Sequence, residues 1–331
     1  MSEKIIFIFL LFICMKSSFN IKYTYRCKGN ENIIPKNAKE VPFRQNTTLY
    51  KRRLDDDYDE NINIVVEYKN IETEMKLYNL LSYRETLFNA MQSAANILNS
   101  LLKPTYKGCY YFEEDFVKEY GYYYWDKEKF GINKTHNYFY TCDYNIDLLI
   151  FFRFINKTEE QKNEYVDLFF NTLYVRTDGG QPIIGEIKIN KTILSKTKNS
   201  LEYWKNYFLL SFTQILGFNH YHIINYYHNI LTKNDIYGTK RKYINSSKVI
   251  QAAKKYFNCN DLDGVELEES TGTIFWESRI LLGEYMCRYG YEPERIISEI
   301  TLAFLEDTGY YNANYYTGGR MQYGRNKGCK F

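Results

Sequence analysis

The chain has 331 residues, 45% hydrophobic and 25% charged, which is enough length and apolar content for a large folded core. Its formal net charge of +3 is small and dispersed, which argues against a basic nucleic-acid-binding surface. Tyrosine is over-used, with 35 copies, but the tyrosines are scattered and form no stripe.

Lys4 precedes an apolar run, Ile5 to Met15, and small polar residues follow at Ser17 and Ser18. This is the layout of a secretory signal peptide, and the run is too short to span a bilayer. Residues 1–19 are therefore expected to direct the chain to a secreted, extracellular or cell-surface location. No other segment approaches ~18 consecutive apolar residues, so no integral membrane segment is expected after signal removal. Residues 20–60 read as a propeptide-like segment containing Lys51-Arg52-Arg53 and Asp55-Asp56-Asp57. The basic triplet reads as a solvated charge run, with a processing site as the alternative.

Residues 61–331 carry the folded domain. Asn61 to Val66 alternates as a strand does, and apolar residues recur at helical spacing from Ile71 to Leu102, where Pro104 stops the pattern. Asn145 to Phe152 is a continuous apolar run suited to a buried strand. The turn Thr177-Asp178-Gly179-Gly180 leads into Ile183–Ile189, read as an edge strand. A helix is predicted from Ser200 to Leu216, closed by Gly217, and another from Pro293 to Thr308, closed by Gly309. The pattern predicts an α+β domain in two lobes with a boundary near residue 217. A twisted sheet with long helices makes the first lobe, and the second is expected to be helix-rich.

Cys14 lies inside the signal, which leaves Cys27, Cys109, Cys142, Cys259, Cys287 and Cys329. An even set in a secreted chain points to disulfides. Sequons at Asn46, Asn133, Asn156, Asn190 and Asn245 fit the glycosylating secretory pathway.

Ile215-Leu216-Gly217-Phe218 at the end of the central helix, followed much later by Gly272-Thr273-Ile274-Phe275-Trp276-Glu277, resembles the leishmanolysin-like zinc metalloproteases (peptidase family M8, of the metzincin clan). Glu284-Tyr285-Met286 resembles that family's Met-turn. Thr301 to Tyr311 resembles the helix that follows, and Gly324 to Cys329 the block after it. The family sets His-Glu-x-x-His on a helix so that two histidines face one zinc ion, with the glutamate as general base and a third histidine from a distant segment. Registered on Gly217, the histidine slots here hold Leu210 and Gln214, the glutamate slot holds Ser211, and Phe275 stands at the third histidine. Leucine and phenylalanine offer zinc no donor, and a serine hydroxyl does not replace a carboxylate base.

The resemblance therefore implies a metzincin-type fold whose family cofactor is zinc, while the residues imply no catalytic set and no expected cofactor. The expected role is a pseudoprotease that binds an extended peptide or protein in a remnant cleft, lined by Ile183, Ile187 and Ile189 with Leu210, Gln214, Phe275 and Met286. Two alternatives stand beside it. One is an active zinc metalloendopeptidase with ligands rearranged onto His220, His222 and His228; the other is a non-enzymatic surface or adhesion glycoprotein. The resemblance also implies a Cys259–Cys329 disulfide and, next, Cys109–Cys142. Cys27, in a segment similar to the family's propeptide cysteine motif, is a candidate partner for Cys287.

Overall fold

A computed structural model of the chain describes residues 39–41, 61–67, 74–105, 111–112, 139–140, 146–155, 168–176, 180–194, 200–235, 237–270, 273–288, 295–315 and 321–331. The signal peptide, most of the propeptide-like segment, Cys27, Cys109, Cys142 and Pro293 lie outside the described residues, as do the sequons at Asn46, Asn133 and Asn156.

The first half begins with strands β1 (Lys39–Val41) and β2 (Ile64–Glu67), helix α1 (Arg84–Leu101) and strand β3 (Leu102–Pro104). Strands β4 (Tyr111–Phe112), β5 (Phe139–Tyr140), β6 (Leu148–Ile155), β7 (Leu168–Arg176) and β8 (Pro182–Asn190) follow, and helix α2 (Leu201–Ile215) closes it. The main sheet has the order β1-β7-β8-β6-β2; β2, β6 and β8 run parallel, and β7 is antiparallel to β8. Helix α1 buries Leu87, Ala90, Met91, Ala94, Ala95, Leu98 and Leu101, the spacing of one helical face. That face packs against α2 and β2. Helix α2 crosses the sheet so closely that a Cβ built on Gly185 of β8 would lie 2.5 Å from Ile215 Cγ2.

The sequence pattern and the structure part company at two elements here. The helix expected over Ile71–Leu102 is broken: residues 78–80 form a turn in which Asn79 adopts a φ of 56°, and α1 starts at Arg84. The expected edge strand, Ile183–Ile189, is the central strand, with β6 on one side and β7 on the other. Its side chains explain the placement, because Ile183, Ile184, Ile187 and Ile189 are all buried and both faces need cover. Asn190 is buried at the end of the same strand, so its sequon presents no accessible side chain.

The second half is mixed rather than helix-rich. It contains β9 (Ile230–Asn234), β10 (Lys240–Ile244), helix α3 (Ser247–Phe257), β11 (Val265–Ser270), β12 (Thr273–Trp276), helix α4 (Glu299–Asp307) and β13 (Tyr311–Ala313). Strands β9 to β12 form an antiparallel sheet of order β12-β11-β10-β9. Helix α4 begins at Glu299 because Ser298 caps it, its side chain accepting from the Thr301 amide. Strand β13 pairs with β3, which ties the end of the second half to the end of α1. One continuous hydrophobic cluster runs from Ile62 through α1, β6, α2 and β12 to Met321, so the two halves share their core. The Cys259–Cys329 disulfide expected from the resemblance is present and joins the residues after α3 to the end of the chain.

Candidate functional site

Helix α2 places the motif. Ser200 caps its first turn, and Gly217, at a φ of 131°, lets the chain leave its end. Asn219 Nδ2 donates to Gln214 O at 2.6 Å and Tyr311 Oη to Leu216 O at 3.2 Å, which satisfies carbonyls left open at the helix terminus. The helix is buried almost all round, from Asn206 through Ile215.

Two distant segments converge on its last turns. Gln214 Nε2 donates to Ile274 O of β12 at 2.8 Å, which brings the Gln214 slot beside the Phe275 segment. Thr213 Oγ1 meets Tyr285 Oη at 2.8 Å, which brings in the Glu284–Met286 turn. Trp276 N donates to Met286 O at 3.0 Å, so β12 and that turn are also joined to each other. The residues that the sequence placed together, Gln214, Phe275 and Met286, thus come from segments the fold does bring together.

Their environment is a core. Leu210 is 1% exposed, and Ser211, Gln214, Phe275 and Met286 are 0% exposed, so none of them lines an open cleft. Nor do Ile183, Ile187 and Ile189, which are sealed within the sheet. Close packing explains this: large apolar side chains fill the volume, and Ser211 Oγ is committed to Tyr207 O at 2.8 Å. The donor chemistry here does not fit a zinc ion. Leu210 and Phe275 have no donor atom, and Gln214, whose amide nitrogen is held by Ile274 O, offers only one neutral amide oxygen, a single weak ligand where a zinc site needs three or four.

The histidines are not gathered either. His222 is buried; its Nε2–H donates to Gly180 O at 3.0 Å, and its Nδ1 lies 3.0 Å from Asn219 Nδ2. Burial pushes its pKa down to about 4, which fixes the neutral ring that makes these contacts. His228 is exposed with a left-handed φ of 54°, and His220 is partly exposed. Among the described residues no group of three His, Cys, Asp or Glu side chains is arranged to hold a metal ion. Asp235 stabilises the β9–β10 turn, accepting from the Tyr237 and Thr239 amides.

Glu284 is the residue whose weight the sequence did not show. It is fully buried, and Oε2 accepts from the Met286 amide at 2.5 Å while Oε1 accepts from Ser298 Oγ at 3.1 Å and Thr301 Oγ1 at 2.5 Å. Thr301 Oγ1 in turn accepts from Trp276 Nε1 at 2.8 Å. Burial outweighs these hydrogen bonds and pushes the carboxyl up to about 7. Arg295 Nη1 adds clamps on Tyr285 O and Cys287 O, at 3.1 and 3.0 Å. Cys287 is a free buried thiol whose Sγ–H donates to Leu281 O at 3.0 Å, while its candidate partner Cys27 lies outside the described residues. Burial holds that thiol well above the ordinary cysteine range, which keeps it protonated.

Comparison with known proteins agrees with this arrangement of segments. The family model for leishmanolysin, peptidase M8, matches residues 133–331. A leishmanolysin-like peptidase of Drosophila melanogaster is 41% identical over 88 residues, which is 25% of this chain and 13% of the fly protein. The ciliated left-right organizer metallopeptidase of Danio rerio is 27% identical over 195 residues, 54% of this chain and 31% of that protein. Leishmanolysin of Leishmania donovani is 32% identical over 92 residues, 27% of this chain and 15% of that protein. The chain therefore spans only a minor part of the length of these relatives. With the family model covering more than half of its residues, across β6, β8, α2, β12 and α4, this chain belongs to the leishmanolysin (M8) peptidase family.

Proposed function

We propose that this chain is a secreted, catalytically inactive member of its family, with a metzincin-type fold whose metal site has become packed core, and that it acts by binding an extended peptide or protein. The observation that carries the reading is the state of the ligand slots. Leu210, Gln214 and Phe275 are buried to at least 99%, two of the three have no donor atom, and the third offers a single neutral amide oxygen, its nitrogen being tied to Ile274 O. Ser211, at the general-base slot, is neither acidic nor beside an activating group, its hydroxyl being spent inside α2. Secretion is supported by the signal-like residues 1–19, and no described helix is long and apolar enough to cross a membrane.

The test is zinc content and proteolysis measured together on protein purified from a secreting host and dialysed against a mild chelator. The expected result is less than ~0.1 equivalent of zinc and no cleavage of denatured casein above a chelator-treated blank. Near-stoichiometric zinc that survives dialysis, with chelator-sensitive cleavage, would overturn the reading and make His220, His222 and His228 the first positions to substitute.

A further inference from the structure

Most cations of the second half are matched by carboxylates. Lys233 pairs with Asp263, Arg241 with Asp235, Lys248 with Glu306, Lys255 with Glu299, Arg279 with Glu266 and Arg288 with Glu268. Lys254, Arg325, Lys327 and Lys330 have no such partner among the described residues. Lys240 shares that state but stands apart, at the start of β10. The net charge of the chain is small, yet its unmatched cations in this half are gathered in one place.

The backbone does the gathering. Lys254 and Lys255 lie in the last turn of α3. Residues 321–331 are laid against that turn: Asn326 N donates to Tyr256 O at 3.0 Å, Gly328 N to Phe257 O at 2.8 Å, and Tyr256 Oη to Tyr323 O at 2.6 Å. The Cys259–Cys329 disulfide closes the junction. Gly324, Asn326 and Gly328 all take left-handed φ values, 80°, 56° and 78°, which fold the segment into successive turns. Arg325 and Lys327, on either side of Asn326, are thereby held against the end of α3. The Arg325 charge reaches the Tyr256 phenol, opposing the burial that pushes its pKa up to about 12.

Cations in the last turn of a helix are ordinarily explained by the negative end of the helix dipole. That accounts for Lys254 and Lys255. It does not account for Arg325, Lys327 and Lys330, because the Tyr256 and Phe257 carbonyls already accept from the Asn326 and Gly328 amides. Arg325, Lys327 and Lys330 are exposed, and Tyr323 beside them is 42% exposed. Like charges held together in this way repel one another, and a bound polyanion relieves the repulsion while releasing its own counterions.

We propose that the face formed by Lys254, Lys255, Arg325, Lys327 and Lys330, bordered by Tyr323, binds a sulfated polysaccharide. Repeated fixed anions suit a set of fixed cations, and the tyrosine ring offers an apolar surface for a sugar ring to pack on. The choice of a sulfated glycan among polyanions rests on the secretory reading of residues 1–19, which places the face among extracellular glycans. It does not depend on the fate of the metal site or on the peptide-binding reading.

The probe is a fluorescent heparin oligosaccharide, titrated into three full-chain proteins at about 0.15 M salt. They are the native chain, a variant carrying Lys254→Gln, Arg325→Gln and Lys327→Gln, and a variant carrying Lys76→Gln, Lys103→Gln and Lys240→Gln, which removes the same charge from exposed positions elsewhere. Thermal unfolding and a non-reducing gel check that each keeps its fold and its Cys259–Cys329 bridge. The expected result is affinity at least ~10-fold weaker for the first variant and within ~2-fold of native for the second, with native binding falling steeply as salt is raised. If the first variant fails to fold, the single change Lys327→Gln carries the test, with an expected loss of about 2- to 3-fold. No binding by the native chain, or equal weakening in both triple variants, would overturn the site. Tighter native binding to phosphatidylserine vesicles or to a DNA duplex than to heparin would overturn the glycan assignment. N-terminal sequencing of protein from a secreting host tests the removal of residues 1–19 separately, so the secretory reading and the binding face fail independently.

Discussion

Glu284 and His222 are both buried in the second half of the domain, and burial moves them in opposite senses, Glu284 up to about 7 and His222 down to about 4. A carboxyl whose folded pKa stands above its ordinary 4.5 stabilises the fold fully below about pH 4.5, and this contribution is lost as pH rises through 7. An imidazole whose folded pKa stands below its ordinary 6.5 contributes stability above that pH, and the contribution is lost as pH falls through 4. Each term is on the order of 3 kcal/mol, and between about pH 4.5 and 6.5 their slopes oppose. Glu284→Gln should leave the His222 slope uncovered, so that stability rises more steeply with pH over that range than in the native chain. His222→Gln should do the reverse. Urea unfolding of the three proteins at pH 4.5, 5.5 and 6.5 measures both, and parallel curves for all three would reject the assignment. The sequence named His222 only as an alternative metal ligand and Glu284 only as part of the turn resemblance; burial, which gives them their weight, depends on Gly180, Ser298 and Thr301 arriving from elsewhere in the chain. Phe275 tests the packed-slot reading at the same scale. Phe275→Ala should cost about 3–5 kcal/mol in unfolding free energy, the cost of a cavity in a closed core, whereas a cleft-lining ring would cost well under half of that.

The contact between α2 and β8 rests on one missing side chain. Gly185 faces Ile215, and an added Cβ would sit 2.5 Å from Cγ2 and 2.9 Å from Cδ1. Gly185→Ala should therefore push helix and sheet apart at a cost of about 1–3 kcal/mol. Gly185→Ala combined with Ile215→Ala should cost less than the sum of the two single changes, because the clashing atoms are gone. Thermal denaturation of the four proteins of this double-mutant cycle gives the coupling, and strict additivity would show that the approach is not what fixes the pair. Element identity was largely legible in this region: the apolar run ending at Phe152 forms a strand from Leu148, Ile183–Ile189 lies within a strand, and the helix closed by Gly217 forms as read. Strand neighbours were not, because alternation reports which face a residue takes and not which strand lies beside it. The β9–β12 sheet escaped for a related reason. Lys240-Arg241-Lys242 and Glu266-Leu267-Glu268 are short and charged, and their pairing is supported by cross-strand ion pairs, such as Arg241 with Glu266, that no local pattern contains.

At the scale of the whole molecule, the connections between the halves include the shared core, the β3–β13 pairing, and the Gln214 and Thr213 hydrogen bonds from α2 into the second half. The Cys259–Cys329 disulfide acts on the second half alone, closing a loop of 70 residues that contains β11, β12 and α4. Around it the chain end is packed, with Phe331 stacked on Phe257 and a Cβ at Gly324 excluded by both rings. Loop closure of that length restricts the unfolded chain by about 4 kcal/mol, so Cys259→Ala with Cys329→Ala should lower unfolding free energy by that amount without a change of fold. The form of the transition distinguishes one core from two. If the cluster from Ile62 to Met321 is one cooperative unit, the loss is felt equally in α1 and α3 although only α3 is near the disulfide, and hydrogen exchange in both helices accelerates by the same factor under conditions of global unfolding. Acceleration confined to α3, β11, β12 and α4 would mean that the second half opens by itself, and that the α2 hydrogen bonds carry less of the connection between halves than their burial implies.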